Sequence, residues 1–484
     1  MDGHELLMRI GPLAGEASGP VRSAQLAAAI ADAIADGRLP RGTSLPAERS
    51  LAAVLQVSRG TVARTYDRLR DGDLVHTRHG AGTSVGSAHE QGPTGAAVAA
   101  LRSDSIVAAA GHRDRTMIDL RIAAWDGDDV LAACLQPDPA ALRRAVVGQD
   151  GYWPEGLPDL REAVARHLAR HGLPTEASQL VITSGAQQAI DVVLSTVTRP
   201  GDPLLLEHTT WSGVLELATV RHLRPLAIPQ VANDHIPLLR ALRERRADLA
   251  YLVPSFHNPT AAVLPAPARR LVVEAAAAGG ATVLDDATVA ELWIDEPPPR
   301  PLAAAYPGAG EHVITIGGLS KAVWGGLRLG WLRAEEPVIR QLARTKAALD
   351  IGNPVVAELA GLRVLERFDD LAEQRRTELR RRRDAFVDAL TTHLPDWQVE
   401  APGGGLSLWV DLGGVDSDAV VTRARRFGVR VPPARSHVVD GRDPGHLRLT
   451  LSRPAEELVV AAERLADAWA SLQVRPEPTS TSAL

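Results

Sequence analysis

From about Thr116 to Val474, short apolar runs alternate with helix-like stretches, and this alternation leaves the chain few ways to fold. Residues 180–183, 204–206, 250–253, 282–284 and 312–316 read as buried strands, with helix-like stretches such as 186–196 and 266–278 between them. Strands separated by helices pair most easily in parallel, so a largely parallel sheet covered by helices is expected. The chain has 484 residues, too many for one ordinary core. Residues 18–86 read as a separate small unit, 87–117 as a flexible linker rich in Ala, Gly and polar residues, and 475–484 as a disordered tail.

In the small unit Leu26, Ile30 and Ile34 recur at helical spacing, and Gly37 suits the end of that helix. Pro46 and Glu48 suit the start of a second helix, with Leu51 and Leu55 inward. After a break at Gln56-Val57, Ser58 is a good N-cap for a third, whose Val62, Tyr66 and Leu69 face inward. Its other face carries Arg59, Thr61, Arg64 and Arg68, and Gly72 suits its end. Short strands at 74–77 and 83–85 flank a hairpin tip at 78–82. Helix, turn, helix and hairpin make a winged helix-turn-helix, with the third helix placed to enter a major groove. The whole chain has a net charge of −6, yet residues 37–86 hold eight Arg against four Asp+Glu. A nucleic-acid surface, if present, is therefore local. A solvated helix face is the plainer alternative.

Cys134 is the only cysteine, which excludes an intrachain disulfide framework, and no metal-binding pattern is read. No apolar run is long enough for a membrane span, and the opening residues lack a signal-peptide pattern, so a cytoplasmic location is expected. Among 53 Lys+Arg only Lys321 and Lys346 are lysines. Arg cannot serve as an amine nucleophile, so a retained lysine is a candidate for chemistry that needs an amine. Lys346 lies in a helical stretch and is expected to be solvated. Lys321 follows a strand-like run, in Gly317-Gly318-Leu319-Ser320-Lys321, with Arg328 seven residues on. Thr183-Ser184-Gly185-Ala186-Gln187 joins a strand to a helix and could cradle a phosphate. Ser255-Phe256-His257-Asn258-Pro259-Thr260 and Asp285-Asp286 follow two further strands. All four segments leave the carboxyl ends of expected strands, where ligands bind in open α/β sheets.

The small unit resembles the DNA-binding domain of the GntR superfamily through Gly37–Gly42, Leu45-Pro46-Ala47-Glu48-Arg49, Val57–Val62 and His79–Thr83. That resemblance implies DNA contacts at Arg49, Ser58, Arg59, Thr61, His79 and Gly80. Gln56 departs from the Gly usual in the turn. Roughly residues 118–474 resemble the class I and II aminotransferases, the fold-type I pyridoxal-phosphate enzymes. The order that carries this is Tyr152, Gly156–Arg161, Ser184–Gln187, Asn258-Pro259-Thr260, Asp285, Ser320-Lys321, Arg328 and Arg448. It implies an α/β domain of fold type I with a smaller C-terminal α+β subdomain, holding pyridoxal 5'-phosphate.

By that resemblance Lys321 forms the Schiff base, Asp285 pairs with the pyridine nitrogen, and these two are the catalytic residues. Asn258 contacts the ring hydroxyl, while Ser184, Gly185, Ala186, Gln187, Ser320 and Arg328 surround the phosphate. Trp211 stacks on the ring, Tyr152 reaches the neighbouring subunit's phosphate, and Arg448 grips a substrate or effector carboxylate. A core aromatic at Trp211 and a surface arginine at Arg448 are the alternatives. Three departures stand out: Ala287 and Thr288 occupy the place of a Tyr near the ring hydroxyl, Gly318 that of a Ser or Thr, and Ala261 that of a Gly. Thr288 is the residue expected to contact the cofactor there.

The two halves in this order resemble the MocR subfamily. The resemblance implies a homodimeric transcription regulator on double-stranded DNA, with a vitamin B6 cofactor or a small amino compound as effector. Transaminase activity is expected to be weak or limited to a half-reaction. An active aminotransferase with a secondary DNA-binding module is the rival, and a scaffold that has lost its cofactor the third reading.

Overall fold

A computed structural model describes residues 1–11, 23–35, 38–39, 43–71, 74–78, 82–85, 116–229, 234–442 and 444–473. Two compact units emerge: Met1–Gly111 with Asp418–Gly428 and Leu465–Leu484, and His112–Ser417 with Val429–Arg464. The expected linker and tail lie largely outside the described residues, as do Gly37, Gly72, His79 and Gly80.

The N-terminal unit is built from α1 (Gly3–Ile10), α2 (Ser23–Ala35), α3 (Glu48–Leu55), α4 (Arg59–Asp71) and the antiparallel hairpin of β1 (Val75–Arg78) with β2 (Gly82–Val85). Leu26, Ile30, Leu51, Val62, Tyr66 and Leu69 form its buried core, as their spacing predicts. Helix α1 was not evident from the spacing. Asp2 caps it by accepting from the Glu5 N–H, and Leu6 and Ile10 enter the same core. The Tyr66 hydroxyl donates to the Pro46 carbonyl at 2.7 Å, fixing the entry to α3 against α4.

In the large unit seven strands form one sheet in the order β4 (Leu180–Thr183), β10 (Gly330–Arg333), β9 (Val313–Gly318), β8 (Thr282–Asp286), β7 (Leu249–Leu252), β5 (Pro203–Glu207) and β6 (Arg224–Ile228). All neighbours pair in parallel except β10, which runs against both β4 and β9. Val181, Leu206, Tyr251, Leu284, Ile314 and Ile316 meet residues of three helices: α8 (Ala186–Val197), α9 (Ser212–Val220) and α12 (Glu336–Asp350). Side chains alternate across a sheet, so this cluster defines one face. Asp286 shares the face of Leu284, whereas Asp285 points to the other. A smaller antiparallel pair, β11 (Ser407–Asp411) with β13 (His446–Thr450), and a parallel pair, β3 (Ile118–Asp119) with β12 (Val429–Arg430), complete the β-structure described.

Candidate functional site

Lys321 sits in the turn after β9, half-buried, and its Nζ donates to the Ala123 carbonyl at 2.8 Å. Burial, followed by the charge of Arg448, pulls its pKa down to about 8, and Asp286 partly opposes this. Near neutral pH roughly a tenth of such amines carry a lone pair, against well under a thousandth for an ordinary lysine. Lys321 lines a cleft with Asn258, Val289, Ser407 and Arg448. Arg448, buried on β13, donates through Nε to Asn258 Oδ1 at 3.2 Å and Ser407 Oγ at 3.1 Å, and through Nη1 to the Arg121 carbonyl at 3.1 Å. The surface-arginine alternative is excluded. Burial lowers its pKa to about 10.

The turn between β4 and α8 carries Ser184 and Gly185. Gly185 has φ +91°, and a Cβ there would lie 3.0 Å from Arg328 Nη2. Arg328 closes over this turn, donating to the Ser184 carbonyl at 2.9 Å. Ala186 opens α8, Gln187 is exposed in its first turn, and Ser320 has a buried hydroxyl oxygen with no partner in the described chain. Trp211 precedes α9, half-buried against the sheet core. Tyr152 is 64% exposed.

The two aspartates of β8 differ in their surroundings. Asp285 accepts from the Leu302 N–H at 3.2 Å, its Oδ1 is buried with no partner in the described chain, and burial raises its pKa to about 6 despite Arg269. Both oxygens of Asp286 are taken: Tyr251 donates to its Oδ2 at 2.6 Å, and Thr288 donates to its Oδ1 from both N–H and hydroxyl. Val289 lines the cleft. One sequence expectation needs correction. Lys346, expected in solvent, is fully buried on α12 and pairs with Asp350 at 2.9 Å. Asp350 Oδ2 accepts from Gln188 Nε2 at 2.6 Å, and Gln188 Oε1 accepts the Ser184 N–H at 2.7 Å. Asn353 links the Ser184 hydroxyl (3.1 Å) to the buried Glu358 (2.9 Å). The second lysine therefore anchors the floor of the Ser184 turn.

Two departures also have a spatial reading. Gly318 is confined, since a Cβ there would lie 3.1 Å from the Leu329 carbonyl oxygen. Ala261 holds φ +58° without being glycine.

In the N-terminal unit, Ser58 Oγ accepts from the Thr61 N–H at 3.1 Å, which starts α4. Arg49, Ser58, Arg59, Arg64 and Arg68 are exposed and Thr61 is partly so. Glu48 holds Arg59 through Nε at 3.1 Å. Gln56 has φ +53°, the left-handed conformation its place in the turn demands.

Residues 150–465 match the family model for aminotransferase class I and II. The chain belongs to the class I and II aminotransferase family. Residues 22–85 of this aminotransferase-family chain match the model for bacterial regulatory proteins of the gntR family. The two domains stand in the MocR order. The chain is 29% identical over 450 residues to an uncharacterized HTH-type transcriptional regulator, YisV, of Bacillus subtilis, covering 87% of this chain and 90% of that protein. It is 27% identical to the HTH-type transcriptional regulator TauR of Rhodobacter capsulatus, covering 84% and 87%. The crystal structure of LysN, an alpha-aminoadipate aminotransferase of Thermus thermophilus, shares the fold with a TM-score of 0.69 at 24% identity, over 78% of this chain and 97% of that one.

Proposed function

We propose that this protein is a pyridoxal-phosphate-dependent, DNA-binding transcription regulator whose aminotransferase-like domain senses the cofactor or an amino compound. The observation that carries this is one chain holding both an exposed, Arg-bearing helix behind a gntR-type turn and a lysine cleft with no tyrosine among its lining residues.

The residues present fit the cofactor. Ser320 offers an orphaned buried hydroxyl, and the Ser184-Gly185-Ala186-Gln187 turn with Arg328 forms a cationic cup for a phosphate. When bound, the cofactor supplies an aldehyde that an amine can attack and a ring that accepts electrons. Lys321 presents the amine, tuned by burial. Asp285, whose buried Oδ1 has no partner in the described chain, would hold the proton on the pyridine nitrogen, with Asp286, Tyr251 and Thr288 bonded together beside it. Asn258 would hold the ring hydroxyl, Trp211 would cover the ring, and Arg448 would take an effector carboxylate. Val289 has no hydroxyl with which to set the ring's proton affinity, so binding and exchange are favoured over fast proton transfer.

On α4, Arg59 and Thr61, with Arg49 and Ser58 beside them, would read and position double-stranded DNA. His79 and Gly80 are assigned the wing contact from the sequence alone. A homodimer fits the exposed apolar side chains of Val146, Val147, Leu349 and Ile351. Tyr152 of the partner subunit would then complete each phosphate cup. No described helix is long and apolar enough to cross a membrane, and a cytoplasmic location agrees with a DNA-bound role.

A steady-state screen of amino donors and keto acids on the cofactor-loaded protein tests the reading. Turnover well below the enzyme median of about 10 per second, with operator binding that depends on cofactor, is expected. Turnover near that median would instead make the protein an aminotransferase first.

A further inference from the structure

His167 and His171 lie four residues apart, at the end of the helix Pro158–Arg170, and both rings turn toward Glu291. His167 Nε2 is 3.8 Å from Glu291 Oε1 and His171 Nε2 is 3.5 Å from Glu291 Oε2. No side-chain hydrogen bond closes either gap. The His171 Nδ1 is 2.9 Å from the His167 carbonyl oxygen, which can only accept, so that nitrogen carries the proton. Nε2 is therefore the His171 nitrogen that faces the carboxylate. His167 is 2% exposed, packed by Phe368 and Trp331, and burial holds it neutral with a pKa of about 3. Its Nδ1 has no partner in the described chain.

We propose that His167 Nε2, His171 Nε2 and a Glu291 oxygen bind one divalent transition-metal ion of the zinc class. Two imidazoles and a carboxylate are ligands that zinc accepts, at bonds of about 2.0–2.2 Å. Tetrahedral bonds of that length put ligand atoms roughly 3.3–3.5 Å apart; here the two histidines approach different oxygens of Glu291, and one ligand atom from each of the three residues lies within 4.8 Å of the others. His171 and Glu291 are partly open to solvent, so water can complete the shell. The ion would clamp the end of that helix to the segment that follows Asp286, Thr288 and Val289. The sequence carried a signal for this, the His-x-x-x-His spacing, but Glu291 is distant in the chain.

The test is calorimetric titration of the full-length, cofactor-loaded protein with zinc chloride, alongside thermal unfolding with and without zinc. One ion per chain and a zinc-dependent rise in Tm are expected. Glu291→Gln and His171→Ala should each weaken that uptake by at least tenfold while the cofactor's visible absorption stays unchanged. Absence of uptake, or uptake unaltered in both variants, overturns the site.

Discussion

The reading helix and the Lys321 cleft use charge in opposite ways. On α4 the arginines stand in water, and Arg59 is held only by the surface carboxylate of Glu48, an interaction worth at most about 1 kcal/mol. Such a side chain can exchange one partner for a base edge or a phosphate at little cost. In the cleft the cations are desolvated: burial depresses both Lys321 and Arg448. A buried charge left there without a partner costs several kcal/mol. Water-exposed charge suits reversible reading of a polyanion; buried charge suits a cofactor whose protonation must be set.

The largest effect should follow Lys321→Ala, which removes the tuned amine. Loss of the cofactor's visible absorption band, and of its fixation by borohydride, is expected with the fold retained and DNA affinity in the cofactor-free state unchanged. A persisting band would move the assignment to Lys346, against its ion pair with Asp350.

Next comes the pair on β8. Asp285→Asn should weaken cofactor retention by roughly the worth of a charge-assisted hydrogen bond, about 1.5–3 kcal/mol, while Asp286→Asn has the smaller effect. Equilibrium dialysis against graded cofactor measures both. The reverse order would move the pyridine partner to Asp286.

That pair also marks where sequence reading runs out. The runs at 180–183, 204–206, 250–253 and 312–316 announced strands because strands buried on both faces are apolar on both sides. For the same reason β8 has no polar alternation, so nothing in Thr282-Val283-Leu284-Asp285-Asp286 separates the two Asp side chains. Their different partners, Leu302 for Asp285 and Tyr251 for Asp286, come from other chain segments. Strands β6 and β10 were missed because Arg-Pro-Leu-Ala-Ile and Gly-Trp-Leu-Arg are short and mixed. Lys346 was misjudged because, although Asp350 stands one turn on in the same helix, the Gln188–Ser184 relay behind the pair comes from a distant chain segment. The small unit read more clearly, since an exposed amphipathic helix shows its period directly.

Arg59→Ala probes the exposed side of the comparison. Loss of a bidentate base contact should cost roughly 1–3 kcal/mol of specific binding, measured on operator DNA at fixed salt, with the cofactor band untouched. Equal losses on specific and random DNA would reassign Arg59 to a phosphate contact.

The smallest effect lies at Gln56, the residue that turns α3 toward α4. Its φ of +53° places a side chain in the left-handed region, which disfavours a Cβ by about 1–2 kcal/mol. Glycine removes that penalty but also gives the unfolded chain more freedom, at a cost of roughly 0.5–1 kcal/mol. The two terms leave a net gain of under about 1 kcal/mol for Gln56→Gly. Gln56 is exposed, so no packing is lost. The backbone N–H of Gln56 donates to Ala53 whichever residue stands there. Thermal unfolding followed by helix signal should show a slightly higher Tm for the DNA-binding unit, with the cofactor band's loss temperature unchanged. A shift of both together would mean that the two regions unfold as one, and that their opposite uses of charge are coupled through stability.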